Sequence, residues 1–534
     1  MFVQKKTLFK NTCELVSSVP MLGEQVASYV IRGHQETGPD GDIKLKNLQG
    51  KPTVVYVKQD KRSNKSPLFT QENLIKMQNE INVSDNSLLK LLTNIRTLLG
   101  NKSVQPYVRE FLTKINKSLE EWFSVTTCEL EKSEKISDNK YRTYQVSRPV
   151  FHCQDVSEFL KYIISYKSLD PHETLVKVGL DGGGGFFKIV LNCIEMTETA
   201  PSNQPRKLHK DGICVHTSKD SSVKKTFILL IVADISETYN NVEKLLSLLN
   251  LHEIHHVISS DLKLCNILLG LQSHSATYPC LYCEETKPWD EPAPPRTLAS
   301  LHSCYNNYNE NGSRIKTAAK YYNVVHPPLI AGYLDDPIHH IIPPMELHLF
   351  LGTVNYLLDT LGIILGESFV MNFLRSQNIV RKSYRGGELE GNQCKKLLSV
   401  LDSLDCQIKM KHGPKVFQCI PVIETLRSFN NVVKACFSSS LDENYKEIIG
   451  RFTRDYKSLN ISITPKVHII MDHIVPFIEE IEQPLGIYSE QASESVHADF
   501  TKFWEKYKVK FIHNPSYNRQ IYNACLAYNA KHLI

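Results

Sequence analysis

The stretch 175-LVKVGLDGGGGFFKIVLNCI-194 decides the reading of this 534-residue chain. Leu175–Leu180 and Phe186–Ile194 are short runs of β-branched, aromatic and aliphatic residues, and between them lie Asp181 and Gly182–Gly185. Two such runs joined at a glycine turn predict a β-hairpin. A polar excursion follows over Glu195–Lys225, and Thr226–Val232 (TFILLIV) then predicts a third strand. A helix is expected over Glu237–Leu249, a short strand over Ile254–Ile258, and a second apolar helix over Leu262–Leu271, directly after Asp261.

Strand, strand, strand, helix, strand, helix is the order found in the ribonuclease H-like α/β fold, and other mixed α/β folds share it. Around this core the texture is helical. In the N-terminal part, Leu88, Leu89, Leu91, Leu92, Ile95, Leu98 and Leu99 form a stripe that starts after Ser84–Asn86 and stops at Gly100. With the amphipathic segment Val104–Trp122 it predicts a helical hairpin. Lys58–Pro67 is a basic loop, and the charge-rich stretch Thr127–Arg142 is expected to be a linker. From 272 to about 470 helical periods dominate, as in Met345–Leu361 and Pro421–Ala435, and a last helix is expected over Tyr488–Tyr507.

The expected division is therefore a helical N-terminal region (1–150), a first part of the α/β core (151–271), a helical insertion (272–480) and the final core helices (481–534). Charged residues make up 22% and hydrophobic residues 42%, which excludes a largely disordered chain. There is no run of roughly 18 or more uncharged apolar residues, the signature of a membrane span. The net charge of +5 is too small to argue for nucleic acid by itself, so any such binding must come from local patches. Fourteen cysteines with one close pair fit reduced thiols and a metal site rather than a disulfide framework.

Three groups of residues can carry chemistry. Cys280 and Cys283 form a C-x2-C pair, and His468 and His473 an H-x4-H pair; together they can supply the two thiolates and two imidazoles of a tetrahedral Zn²⁺ site, the other reading being one chance cysteine pair in a turn and two unrelated histidines. The pairs stand much farther apart than in a zinc finger, so the site would staple distant segments. Asp181 and Asp261 fall at or just beyond strand ends, where carboxylates on adjacent strands can share hard divalent cations. The ordinary uses of such residues are turn and helix capping, and Asp234 is an equally placed competitor. Glu490 and Glu494, one helical turn apart, offer a third carboxylate. In Phe500–Phe511, Lys502, Lys506, Lys508 and Lys510 interleave with Phe503, Trp504 and Tyr507, which suits either a phosphate-tracking surface or an amphipathic helix with an apolar core face.

Taken together, these motifs resemble the catalytic core of the V(D)J recombinase, the recombination-activating protein, and of the Transib transposases. The matching pieces, in family order, are LDG at Leu180–Gly182, Asp261, CLYC at Cys280–Cys283, LHLFLG at Leu347–Gly352, His468 and His473 with Pro476 behind them, and GIYSEQASES at Gly486–Ser495. The match covers scattered motifs between about residues 170 and 510. The resemblance implies a ribonuclease H-like catalytic core interrupted by a large α-helical zinc-binding insertion. It implies Asp181, Asp261 and Glu494 as ligands of Mg²⁺ or Mn²⁺, and Cys280, Cys283, His468 and His473 as ligands of Zn²⁺. Glu494 is favoured over Glu490, and His348 falls where the family has a histidine near the active site.

The expected function is DDE-type DNA transposition or recombination, in which double-stranded DNA at transposon ends is cleaved and joined by two-metal phosphoryl transfer. A nuclear homodimer with room for an accessory subunit, and no membrane partner, is implied as well. The chain departs from the family in lacking the upstream zinc-binding, ubiquitin-ligase-like region and in being short after Glu494. Two other readings stay open. One is a ribonuclease H-like nuclease, disfavoured because Gly182 and Gly183 follow Asp181 where many such enzymes carry Asp-x-Glu. The other is a domesticated, catalytically inactive DNA-binding or scaffold protein.

Overall fold

A computed structural model describes residues 42–46, 52–56, 115–137, 140–197, 217–218, 226–289, 292–381, 388–411, 413–438, 440–509 and 511–533. The chain divides into two compact units, Met1–Glu121 with Ala530–Ile534, and Trp122–Asn529. The described part of the first unit holds an antiparallel hairpin of β1 (Asp42–Lys46) and β2 (Pro52–Tyr56) and a helical turn at 115–120. The Leu88–Leu99 stripe, most of Val104–Trp122 and the basic loop Lys58–Pro67 lie outside the described residues.

The second unit runs unbroken across positions 150, 271 and 480, and its centre is a mixed seven-stranded sheet in the order β3-β4-β8-β6-β5-β9, with β7 on β6. The strands are β3 (Phe123–Ser137), β4 (Lys140–Cys153), β5 (Thr174–Gly183), β6 (Phe186–Thr197), β7 (Thr217–Ser218), β8 (Thr226–Ala233) and β9 (Val257–Ser260). The glycine run does what its sequence predicts. β5 and β6 pair from Thr174↔Glu195 to Gly183↔Phe186, and the turn closes on Gly184 (φ 60°) and Gly185 (φ 81°). Two consecutive positive φ values match the right-handed twist of a hairpin, and only glycine adopts them freely. β8 is apolar from Phe227 to Ala233 and buried at every position, as expected of a strand covered on both faces. β9 lies parallel to β5, with Leu180 opposite Ser260.

The stretch Thr127–Arg142 is not a linker. It belongs to the long hairpin β3–β4, paired from Phe123↔Cys153 to Ser137↔Lys140, so strands occupy part of what was expected to be a helical N-terminal region. Its charges reflect exposure. Leu130 is fully buried while Glu134 and Lys135 face solvent, and a ribbon that buries few side chains is easily mistaken for a loop.

The described helices of this unit begin with α1 (Val156–Lys167), α2 (Tyr239–Leu246) and α3 (Leu262–Leu268). A helical region follows, with α4 (Leu298–Glu310), α5 (Glu346–Leu365), α6 (Glu367–Ser376), α7 (Gly391–Ser399), α8 (Leu401–Lys411), α9 (Val416–Cys436), α10 (Tyr445–Lys457), α11 (Pro465–Asp472) and α12 (Ile474–Ile481). The chain then returns to the sheet through α13 (Gln491–Tyr507) and α14 (Tyr517–Leu533). By length and composition α5 could cross a membrane, but it is a core helix here, packed against α9 and α11 with Leu349, Val354, Leu357 and Leu361 buried.

α13 packs on β5 so closely that a Cβ on Gly179 would fall 1.9 Å from Ser493 Oγ. Of its aromatic residues, Phe500 and Trp504 are buried, Trp504 against Phe186 and Tyr517, while Phe503 and Tyr507 are half-buried and Lys502, Lys506 and Lys508 lie in solvent. Phe500 and Trp504 give the segment the apolar face of an amphipathic helix, and Phe511 is exposed beyond it. α14, which the sequence reading did not anticipate, is tied to β8 by Asn529. Its amide accepts from Ile228 N at 2.8 Å and donates to Ile228 O at 2.9 Å.

Candidate metal centre and carboxylate cluster

The C-x2-C and H-x4-H pairs meet. Cys280, Cys283, His468 and His473 hold their donor atoms within 4.8 Å of one another. Cys280 Sγ lies 3.3 Å from His473 Nε2, Cys283 Sγ 3.3 Å from His468 Nε2, and the two Nε2 atoms are 3.1 Å apart. Local sequence explains the convergence. The Tyr282 N–H donates to Cys280 Sγ at 3.3 Å, curling the cysteine turn around its sulfur. The fully buried Arg296 braces that turn, its Nε–H reaching Cys280 O at 3.2 Å and Cys283 O at 3.0 Å.

Thr464 caps α11, Pro465 opens it, and His473 sits at the junction between α11 and α12, so the two imidazoles face one point. His468 Nδ1 lies 2.8 Å from Asp472 Oδ2, which leaves the Nε2 lone pair for a metal, and Trp289 stacks on its ring at 3.8 Å. Burial pushes the Cys280 thiol up, but hydrogen bonds from Cys283 and from backbone N–H groups bring it below its ordinary value. Two sulfurs and two imidazole nitrogens in this arrangement form a donor set that can hold a metal ion such as zinc.

The carboxylates gather at one end of the sheet. The parallel register sets Leu180 beside Ser260, so the next residue on each chain is a carboxylate: Asp181, still within β5 and paired with Lys188, and Asp261, just past the end of β9. Asp261 also caps α3, its Oδ1 accepting from Leu264 N at 2.7 Å, so its capping role and its place at the strand end coexist. Asp234 is committed elsewhere, 2.7 Å from Arg148 Nη2 and 3.0 Å from Lys132 Nζ.

α13 brings in Glu494, and His348 of α5 links it to the buried Glu490. His348 Nδ1 is 2.9 Å from Glu490 Oε1, and its Nε2 is 3.4 Å from Glu494 Oε1. Burial would depress His348, but the bond to Glu490 and the charges of Glu490, Glu494 and Asp261 raise it above its ordinary value. LHLFLG also supplies Gly352, where a Cβ would fall 2.2 Å from Lys466 Cδ; burial lowers the Lys466 ammonium, and Glu388 and Asp261 oppose that.

Asp181, Asp261 and Glu494 are brought to the same end of the sheet, but they are not among the groups whose donor atoms all fall within 4.8 Å. Three residues that sequence reasoning missed stand among them. His497, one turn beyond Glu494, touches Asp181 through Nε2 and Lys188 through Nδ1. Lys188 is buried and pushed down to about 7, with Asp181 opposing the shift. Glu237 occupies the space beside Gly182, where a Cβ would meet its carboxylate, and it pairs with Lys263. The spacing of Glu494 and His497 on one helical face was the available signal for His497; for Lys188 and Glu237 only the fold provides one.

A family described as Domain of unknown function (DUF8703) matches residues 216–296, a span that includes β8, β9, Asp261 and the cysteine pair. No curated protein matches the chain.

Proposed function

We propose that this chain is a DDE-type DNA transposase or recombinase with a ribonuclease H-like core. The observation that carries the reading is the parallel pairing of Leu180 with Ser260, the residues just before Asp181 and Asp261, with Glu494 carried by the helix packed on Gly179. Three antiparallel strands followed by a strand parallel to the first, in the order β8-β6-β5-β9, support such a core. Oxygen donors are what Mg²⁺ and Mn²⁺ take, so the donor chemistry of Asp181, Asp261 and Glu494 fits those ions. When bound, such ions supply Lewis-acid stabilisation of a phosphodiester and an activated nucleophile.

The remaining chemistry belongs to the chain. His497 orients Asp181, and His348 carries a proton between Glu490 and Glu494. Lys188, buried behind Asp181, bonds His497 and so helps to hold it in place. Cys280, Cys283, His468 and His473 would hold zinc and fasten the helical region to itself. Double-stranded DNA at transposon ends is the proposed substrate, acted on by a nuclear homodimer with or without an accessory subunit.

The spacing of the three carboxylates favours a second reading, a catalytically inactive DNA-binding or scaffold protein of the same fold. Nicking of supercoiled DNA in Mg²⁺ or Mn²⁺ separates the two. Asn caps helices as well as Asp does, so Asp261→Asn keeps the α3 cap while removing the charge. Metal-dependent nicking that is lost in Asp261→Asn supports the transposase reading. Absence of nicking by folded wild-type protein that still binds DNA supports the scaffold.

A further inference from the structure

We propose that His339, His340 and Glu480 form a second transition-metal site, separate from the Cys280–His473 centre and independent of the proposed DNA chemistry. These are adjacent histidines in the short helical segment Ile338–Ile341, facing a glutamate near the end of α12. Both imidazoles turn Nε2 toward one oxygen: Glu480 Oε2 lies 2.7 Å from His339 and 2.6 Å from His340. All three donor atoms fall within 4.8 Å of one another, so a single point is reachable from each. Bonds of about 2.1 Å at near-tetrahedral angles put such donors a little over 3 Å apart. The Glu480 side chain is 42% exposed and free to swing outward by the ~0.7 Å this requires.

Two features distinguish the group from a buried ion pair. The histidines are held from behind: His339 is packed edge-on against Phe477, with Tyr282 beyond it, and Asp336 Oδ2 lies 3.7 Å from His340 Nδ1. The ring packing limits how His339 can turn, and the Asp336 carboxylate sets a negative charge behind His340. The front is open, since His340 and Glu480 are both partly exposed, so water can complete the coordination shell. Two imidazoles and one carboxylate suit Zn²⁺, Ni²⁺ or Co²⁺ rather than Mg²⁺ or Ca²⁺. A bound ion would tie 338–341 to the helix that begins at His473. Tyr282 stands between the two centres, its ring 5.4 Å from His473 and 6.5 Å from His339.

Co²⁺ titration of the full-length protein, stripped of metal and held in excess Mg²⁺ to occupy the carboxylate end, tests this. Two equivalents are expected, one with the intense thiolate-to-cobalt absorption of a cysteine site and one with only weak d–d bands. Glu480→Gln and His340→Ala, checked for folding by circular dichroism, should each lose the second equivalent and keep the thiolate band. A wild-type stoichiometry of one overturns the proposal, and so does Glu480→Gln that still binds two.

Discussion

Glu346 sits in a place that costs the fold stability above neutral pH, and replacing it with glutamine exposes that cost. Its side chain opens α5, is only 3% exposed, and accepts hydrogen bonds from Ser489 Oγ at 2.6 Å and Gln491 Nε2 at 2.8 Å. Burial first, and the neighbouring Glu490 second, push it from the ordinary 4.5 up to about 7. Between those two values the folded chain holds a proton that the unfolded chain has released. Stability therefore falls as pH rises through this window, and above it the full penalty is present. The width of the window corresponds to ~3 kcal/mol.

Glutamine keeps an oxygen for Ser489 and Gln491 and cannot ionise. Glu346→Gln should therefore raise the unfolding free energy by up to ~3 kcal/mol at pH 8 and by less than ~1 kcal/mol at pH 5, read from urea midpoints at the two values. Equal gains at both pH values would refute the argument. So would a loss at pH 8, which would mean that the buried Lys177, whose ammonium donates to Ile487 O and Ser489 O, stabilises the pair as ions.

Two further perturbations probe the metal centre and the sheet. Asp472→Ala removes the partner of His468 Nδ1 from a half-exposed position, and zinc affinity measured by chelator competition should fall about 10–100-fold with the fold retained. Gly179→Val drives side-chain atoms into Ser493, so α13 must move away from β5. Unfolding should become easier by roughly 1–3 kcal/mol, and any metal-dependent nicking should fall more steeply than stability does, because Glu494 travels with the helix.

What could be read in the sequence was local. The hairpin at Gly184 and Gly185 was visible because one turn type demands those residues, and β8 because an all-apolar run has few other places to go. Asp261 could be placed beyond a strand end, whereas Asp181 was expected to end its strand and lies within β5, which runs on to Gly183; that the two strands are neighbours depends on the parallel register of β5 and β9. The cysteine and histidine pairs were each recognisable from spacing. Residues that act only through distant partners stayed hidden: His497 beside Lys188, 309 positions away, and His339 beside Glu480, 141 away. The charges of β3 and β4 misled for a different reason, since a ribbon open to solvent has the composition of a loop.

Cys283 and His468 touch although 185 positions separate them. The helices between them thus form an excursion that leaves and re-enters the fold at one knot. Along its path it is tied again where Glu346 and His348 of α5 meet Ser489, Glu490 and Glu494, so its length is free only in the stretches between these ties. Lengthening a closed loop of this size by about 20 residues changes its closure entropy by only ~0.1 kcal/mol. Such a region is free to acquire or shed surface elements over evolutionary time while the carboxylates at the sheet end keep their places.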